Sequence, residues 1–96
     1  MKTKEQIALG MGYIPDKNGV VKSPYNEEVK GYVVNPRAKL LGIKIKDPES
    51  NKLITVYKHR LVWTYFNGPI PEGAIVVQKN NIKTDNRLEN LMLATA

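Results

Sequence analysis

The chain carries one histidine, His59, and no cysteine among its 96 residues. An imidazole is the side chain best suited to act as a general base near neutral pH. Alone it cannot assemble a metal site, which takes several converging ligands. The missing cysteines remove thiolate zinc ligands and thiol nucleophiles. His59 sits beside Arg60 at the head of a short apolar segment, so it reads first as a packing or phosphate-contacting residue and only second as a remote base. The stretch KNNIKTDNR offers Lys79, Lys83 and Arg87 to phosphates. The competing reading is a solvated loop whose Asn and Asp satisfy its own turns. Trp63, Tyr65 and Phe66 would suit a base-stacking platform. At helical spacing Phe66 belongs to the core, and Trp63, off the apolar face, packs against the sheet.

Charge gives a second clue. The net charge is +6, and residues 29–60 hold Lys30, Arg37, Lys39, Lys44, Lys46, Lys52, Lys58 and Arg60 against Asp47 and Glu49. Eight cations against two acids leave six, which is the whole excess. A basic stripe of this kind suits a polyanion such as DNA or RNA; the alternative is solubilising lysine on strand faces. Hydrophobic content of 42% and charged content of 25% are those of a globular domain. The length fits one domain, 1–96. Without disulfides or a long apolar run, a cytoplasmic location and no membrane partner are expected.

Several short elements must position these groups. TKEQIAL starts a helix, with Thr3 and Gln6 at capping-box spacing and Gly10 and Gly12 limiting it. Asn18-Gly19 signals a turn into a short strand. KGYVV is a second strand, closed by Asn35-Pro36. In KLLGIKIKD, Ile43 and Ile45 alternate with Lys44 and Lys46, which gives one buried and one cationic face. LITVY is a further strand, and the group reads as one antiparallel meander. HRLVWTYF is helical, with Leu61, Val62, Tyr65 and Phe66 on one face, stopped by Asn67-Gly68 and Pro69. AIVVQ is a strand, Asp85 caps a short helix over Asn86 to Asn90, and LMLAT is the last strand. Leu61, Val62, Tyr65 and Phe66 should pack on Ile43, Ile45, Ile54, Val56, Ile75, Leu88, Leu91 and Leu93.

The residues from Tyr57 onward resemble the small HNH endonucleases of phages and mobile introns. His59-Arg60-Leu61-Val62, Phe66, Pro69, Pro71, Asn80, Lys83, Asp85-Asn86-Arg87, Asn90-Leu91 and Thr95 match that family's pattern without a gap. YIPDKNGVVKS and KGYVV are also similar to the sheet that precedes the motif there, so the resemblance covers about residues 12 to 95. It implies an α+β fold: a small antiparallel sheet, about 12–57, followed by a truncated ββα-metal-like HNH core over 58–96 that lacks the last helix.

The same register implies where the family's site should lie, and there the sequence departs. The positions of the metal-holding acid and the general-base histidine fall on Val77 and Gln78. Valine offers no oxygen to a hard cation, and a glutamine amide does not titrate near neutral pH. The retained Asn90 is implied to tie the loop structurally. His59 is implied to sit at the start of the scaffold helix, remote from the phosphate. The first reading is therefore a catalytically inactive HNH-like protein of phage or mobile-element origin. It would bind DNA through Arg37, Lys39, Lys44, Lys46, Lys58, Arg60, Lys79, Lys83 and Arg87, with no cofactor and no metal. A second reading is a phage-borne inhibitor or regulator of a host protein or nucleoprotein complex. A third is a non-standard endonuclease using Mg or Mn.

Overall fold

The computed structural model describes residues 3–37 and 39–95; residues 1, 2 and 96, at the ends of the expected domain, and residue 38 lie outside that set. Helix α1 runs Lys4–Met11. Its capping box is complete: the Gln6 amide donates to Thr3 Oγ1 at 3.1 Å and the Thr3 amide to Gln6 Oε1 at 2.9 Å. Gly10 is accommodated inside the helix, and Gly12, at φ 104°, ends it in the left-handed region.

The strands divide into three antiparallel sheets rather than one meander. Strands β1 (Ile14–Pro15), β2 (Val21–Lys22) and β3 (Glu28–Val29) form a minimal first sheet. Strands β4 (Tyr32–Asn35), β5 (Leu40–Lys46) and β6 (Leu53–Tyr57) form the second. Its register pairs Ile43 with Val56 and Ile45 with Ile54, while Lys44 faces Thr55 and Lys46 faces Leu53. Period-two alternation therefore turns the isoleucines inward and both lysines outward. Ile43, Ile45 and Val56 join Ala8, Val21 and Leu61 in the larger core cluster.

Helix α2 (Lys58–Asn67) connects this core to the third sheet, the hairpin of β7 (Ala74–Gln78) and β8 (Leu91–Thr95). Leu61 enters the first cluster, and Val62 joins Val76 and Leu91 in a second, with Trp63, Phe66, Leu88 and Leu93 packed against it. Two-sided packing corrects the expected single stripe. Trp63 is half-buried in the second cluster, whereas Tyr65 is 44% exposed with its ring edge-on to Phe66. The strand alternation of β7 likewise turns Val76 inward and leaves Ile75 47% exposed.

The short helix expected over Asn86 to Asn90 is reduced to one 3₁₀ turn, Leu88–Asn90. Asp85 does not cap it. Its carboxylate accepts from the Arg87 side chain, from Asn80 Nδ2 and, at 3.4 Å, from the Arg87 amide, and its backbone carbonyl accepts from Asn90.

Candidate nucleic-acid interface

The loop between β7 and β8 is organised by side-chain amides. Gln78, 5% exposed at the end of β7, donates through Nε2 to Lys83 O at 3.3 Å and to Asn86 Oδ1 at 3.1 Å. Asn86 is itself buried. Asn90 works from the other end: its Nδ2 donates to Asn80 Oδ1 at 2.9 Å and Asp85 O at 3.0 Å, and its Oδ1 accepts from the Asn80 amide at 3.2 Å. Buried amides with every contact made inside one loop fix its path strongly. Arg87 is held on the surface by Asp85 at 2.9 Å and Glu89 at 2.7 Å. Its guanidinium keeps the Asp85 carboxyl well below the usual carboxylate range.

The amino-terminal part braces this loop. Leu88 donates its amide to Lys17 O at 2.9 Å. Gly19 lies so close to Asn86 that a Cβ there would stand 2.8 Å from the Asn86 carbonyl carbon and oxygen.

A cleft of ≈ 370 Å³ opens beside the end of β7. Val77, Gln78 and Lys83 line it together with Tyr57, His59 and Arg60, and Leu40, Ile75 and Val76 complete the aliphatic wall. His59 is thus brought to the same cleft as Val77 and Gln78, not held apart from them at the head of the helix. The imidazole is 6% exposed, and its Nδ1 is buried without a hydrogen-bond partner among the described residues. Burial pushes its pKa down to about 4, helped by the nearby charges of Arg60 and Lys83. It is therefore a neutral ring at physiological pH.

The cations assigned to binding separate into two groups. Arg37, Lys39, Lys44, Lys46 and Lys79 are exposed, and Lys83 is half-buried at the cleft. Lys44 Nζ lies 5.8 Å from the centroid of the Tyr32 ring, and the Tyr32 hydroxyl lies 3.3 Å from Thr55 Oγ1. The others have partners within the chain. Lys58 is buried, donates to Lys30 O at 3.3 Å, and has its pKa lowered by that burial. Arg60 pairs with the buried Glu5 at 3.4 Å, and Arg87 is paired as above.

Sequence reasoning did not assign Tyr57, Leu40, Ile75 or Val76 to the site, Ile75 having been placed in the core. Tyr57 was within reach, since the alternation that places Leu53 and Thr55 on the outer face of β6 continues to it. Leu40 had no local signal. By the same register Lys46, Lys44, Thr55 and Tyr57 share one face of the second sheet, and that face ends at the cleft. Among the described residues no helix is long and apolar enough to cross a membrane.

The family model described as HNH endonuclease matches residues 56–96. A solved structure described as "DNA binding and cleavage by the HNH homing endonuclease I-HmuI" superposes with a TM-score of 0.74 at 27% identity, over 92% of this chain and 50% of that one. The chain thus spans half the length of the endonuclease it is similar to. No curated protein sequence matches it.

Proposed function

We propose, from the premise that the chain is HNH homing-endonuclease-like, that it holds DNA on a basic surface and does not cut it. The observation that carries this reading is the state of Gln78. It stands where the resemblance puts the general base, and its amide is a buried donor to Lys83 O and Asn86 Oδ1. A group in that state neither accepts a proton from water nor turns to meet a substrate. Val77 beside it has no ligand atom.

A divalent cation does not fit these residues. The cleft is lined by a neutral imidazole, the Tyr57 phenol, two cations, an amide and aliphatic chains, with no carboxylate among the described residues. Among the described residues no three His, Cys, Asp or Glu side chains come together. Hard cations of the kind used in phosphodiester cleavage need oxygen ligands.

DNA binding is supported by the relative and by the exposed cations. The matched endonuclease is described as binding and cleaving DNA. Lys44 and Lys46 stand on one sheet face that leads to the cleft, where lysines act as phosphate contacts. A phage or mobile-element origin belongs to the same reading, since the relative is a homing endonuclease by name.

One preparation tests both halves. Duplex DNA should be retarded at low salt and released steeply as salt rises, and supercoiled plasmid should stay intact with Mg or Mn. Nicking above background would overturn the inactive reading. Absence of any shift at low salt would overturn the binding one.

A further inference from the structure

The cleft at the end of β7 has a selective lining. Its volume of ≈ 370 Å³ lies at the small end of ligand pockets, which begin at about 300 Å³. That is room for one nucleotide. Ile75, Val76 and Val77 of β7 give it an aliphatic lining, and Tyr57 and His59, whose ring centroids lie 5.6 Å from each other, add aromatic surface. Lys83 and Arg60 are the cations of the lining, the latter with its guanidinium on Glu5, and among the described residues no acid lines the cleft. Lys83 has no ion pair among the described residues, and Arg60 has one, at 3.4 Å to Glu5. The His59 ring is more than nine-tenths buried, with its Nδ1 unpartnered. A lining that is mostly apolar and carries cations suits a flat uncharged body joined to an anion.

We infer that this cleft receives one unpaired nucleotide, its phosphate on Lys83 and its base against Tyr57 and Val77, without a metal ion. The inference rests on the nucleic-acid-binding reading and adds to it a site for a single nucleotide. The cations alone would hold any phosphate. The aliphatic wall and the rings add the preference for a base, because stacking and apolar contact do not depend on base identity. A nucleotide in this slot must be free, at a strand end or drawn out of a pair. Base-paired nucleotides cannot present both their face and their phosphate to it.

The test is an NMR titration of isotope-labelled protein with deoxyadenosine monophosphate in the presence of EDTA. Saturable shifts are expected at the Val77 methyls and at the Tyr57 and His59 rings. Deoxyadenosine and inorganic phosphate, each offering half the ligand, should bind at least about tenfold more weakly. Lys83→Glu should weaken nucleotide binding by at least about tenfold. Lys83→Met, which keeps the carbonyl that Gln78 uses, serves as a second variant if the first disturbs the fold. A single-stranded oligonucleotide should move the same resonances at lower concentration than a blunt duplex.

Silence at Val77, Tyr57 and His59, or nucleotide binding in both Lys83 variants as tight as in the unaltered protein, would overturn the inference. If a blunt duplex still bound elsewhere, the earlier reading would stand alone. Shifts with the nucleotide and no duplex binding would instead support the cleft and remove the duplex reading.

Discussion

At the scale of single residues, the cleft is defined by two groups that have become neutral fixtures. Gln78 is one. Both of its amide hydrogens are used inside the loop, so its removal leaves the buried Asn86 Oδ1 and the Lys83 carbonyl without a donor among the described residues. Gln78→Leu should therefore cost about 1–3 kcal/mol in urea unfolding, the usual penalty for an orphaned buried acceptor. A change within error would show that the amide is not structural. His59 is the other. Its pKa is about 4 when folded against an ordinary 6.5, chiefly from burial. Between those values the unfolded chain binds a proton that the folded one refuses, so stability rises with pH there. On acidification it should fall from about pH 6.5 to about pH 4, by roughly 3 kcal/mol, and this contribution should level off below. His59→Leu should flatten that slope in pH-dependent urea melts, whatever it does to stability at neutral pH. The Asp85 carboxyl, held low by Arg87, loses its contribution only at more acidic pH and does not mask the window. The sequence showed that Gln78 cannot be a base, because that follows from residue type. It could not show what the amide does, because Lys83 and Asn86 meet it only once the loop has closed.

At the scale of elements, legibility tracked the range of the interactions. The β5 alternation, the α1 capping box and the glycine stop after α2 are set by neighbours a few residues away, and each was readable. The partition into three sheets was not. Strands β1, β2 and β3 have two residues each, too few for a periodic pattern, and exist because their partners hold them. The 3₁₀ turn at Leu88–Asn90 is similar: Asp85 is a good capping residue by type, but Arg87 and Asn90 claim its carboxylate and carbonyl first. The least legible contact is the one that joins the two halves of the chain. Gly19 has φ 85° in the β1–β2 turn and lies against the Asn86 backbone. Alanine there must both adopt a left-handed conformation and displace a backbone 2.8 Å away. Gly19→Ala should cost about 2 kcal/mol or more, since strain and overpacking act together. It should also speed hydrogen exchange at the Leu88 amide, which donates to Lys17. Unchanged exchange would mean that the amino-terminal turn does not brace the loop.

At the scale of the whole molecule, the question is how much of the +6 charge reaches a partner. The basic stripe counted along the sequence overstates it. Folding buries Lys58 and ties Arg60 to Glu5, and outside the stripe it ties Arg87 to Asp85 and Glu89. Lys44 and Lys46 remain exposed on one face of the second sheet, and that face leads through Thr55 to Tyr57 and the cleft. If this face carries the phosphate contacts, its loss should be visible in the salt dependence as well as in the affinity. Each phosphate contact to a duplex contributes about 0.9 to the slope of log K against log salt. Lys44→Glu combined with Lys46→Glu should reduce that slope by about 2 and weaken duplex binding at least about tenfold at low salt. Arg87→Ala should leave the slope nearly unchanged, because its guanidinium is already engaged by two carboxylates. Binding measured across a salt series for the three proteins separates the cases. An unaltered slope in the double reversal, with a reduced slope in Arg87→Ala, would move the contact surface from the sheet to the loop between β7 and β8.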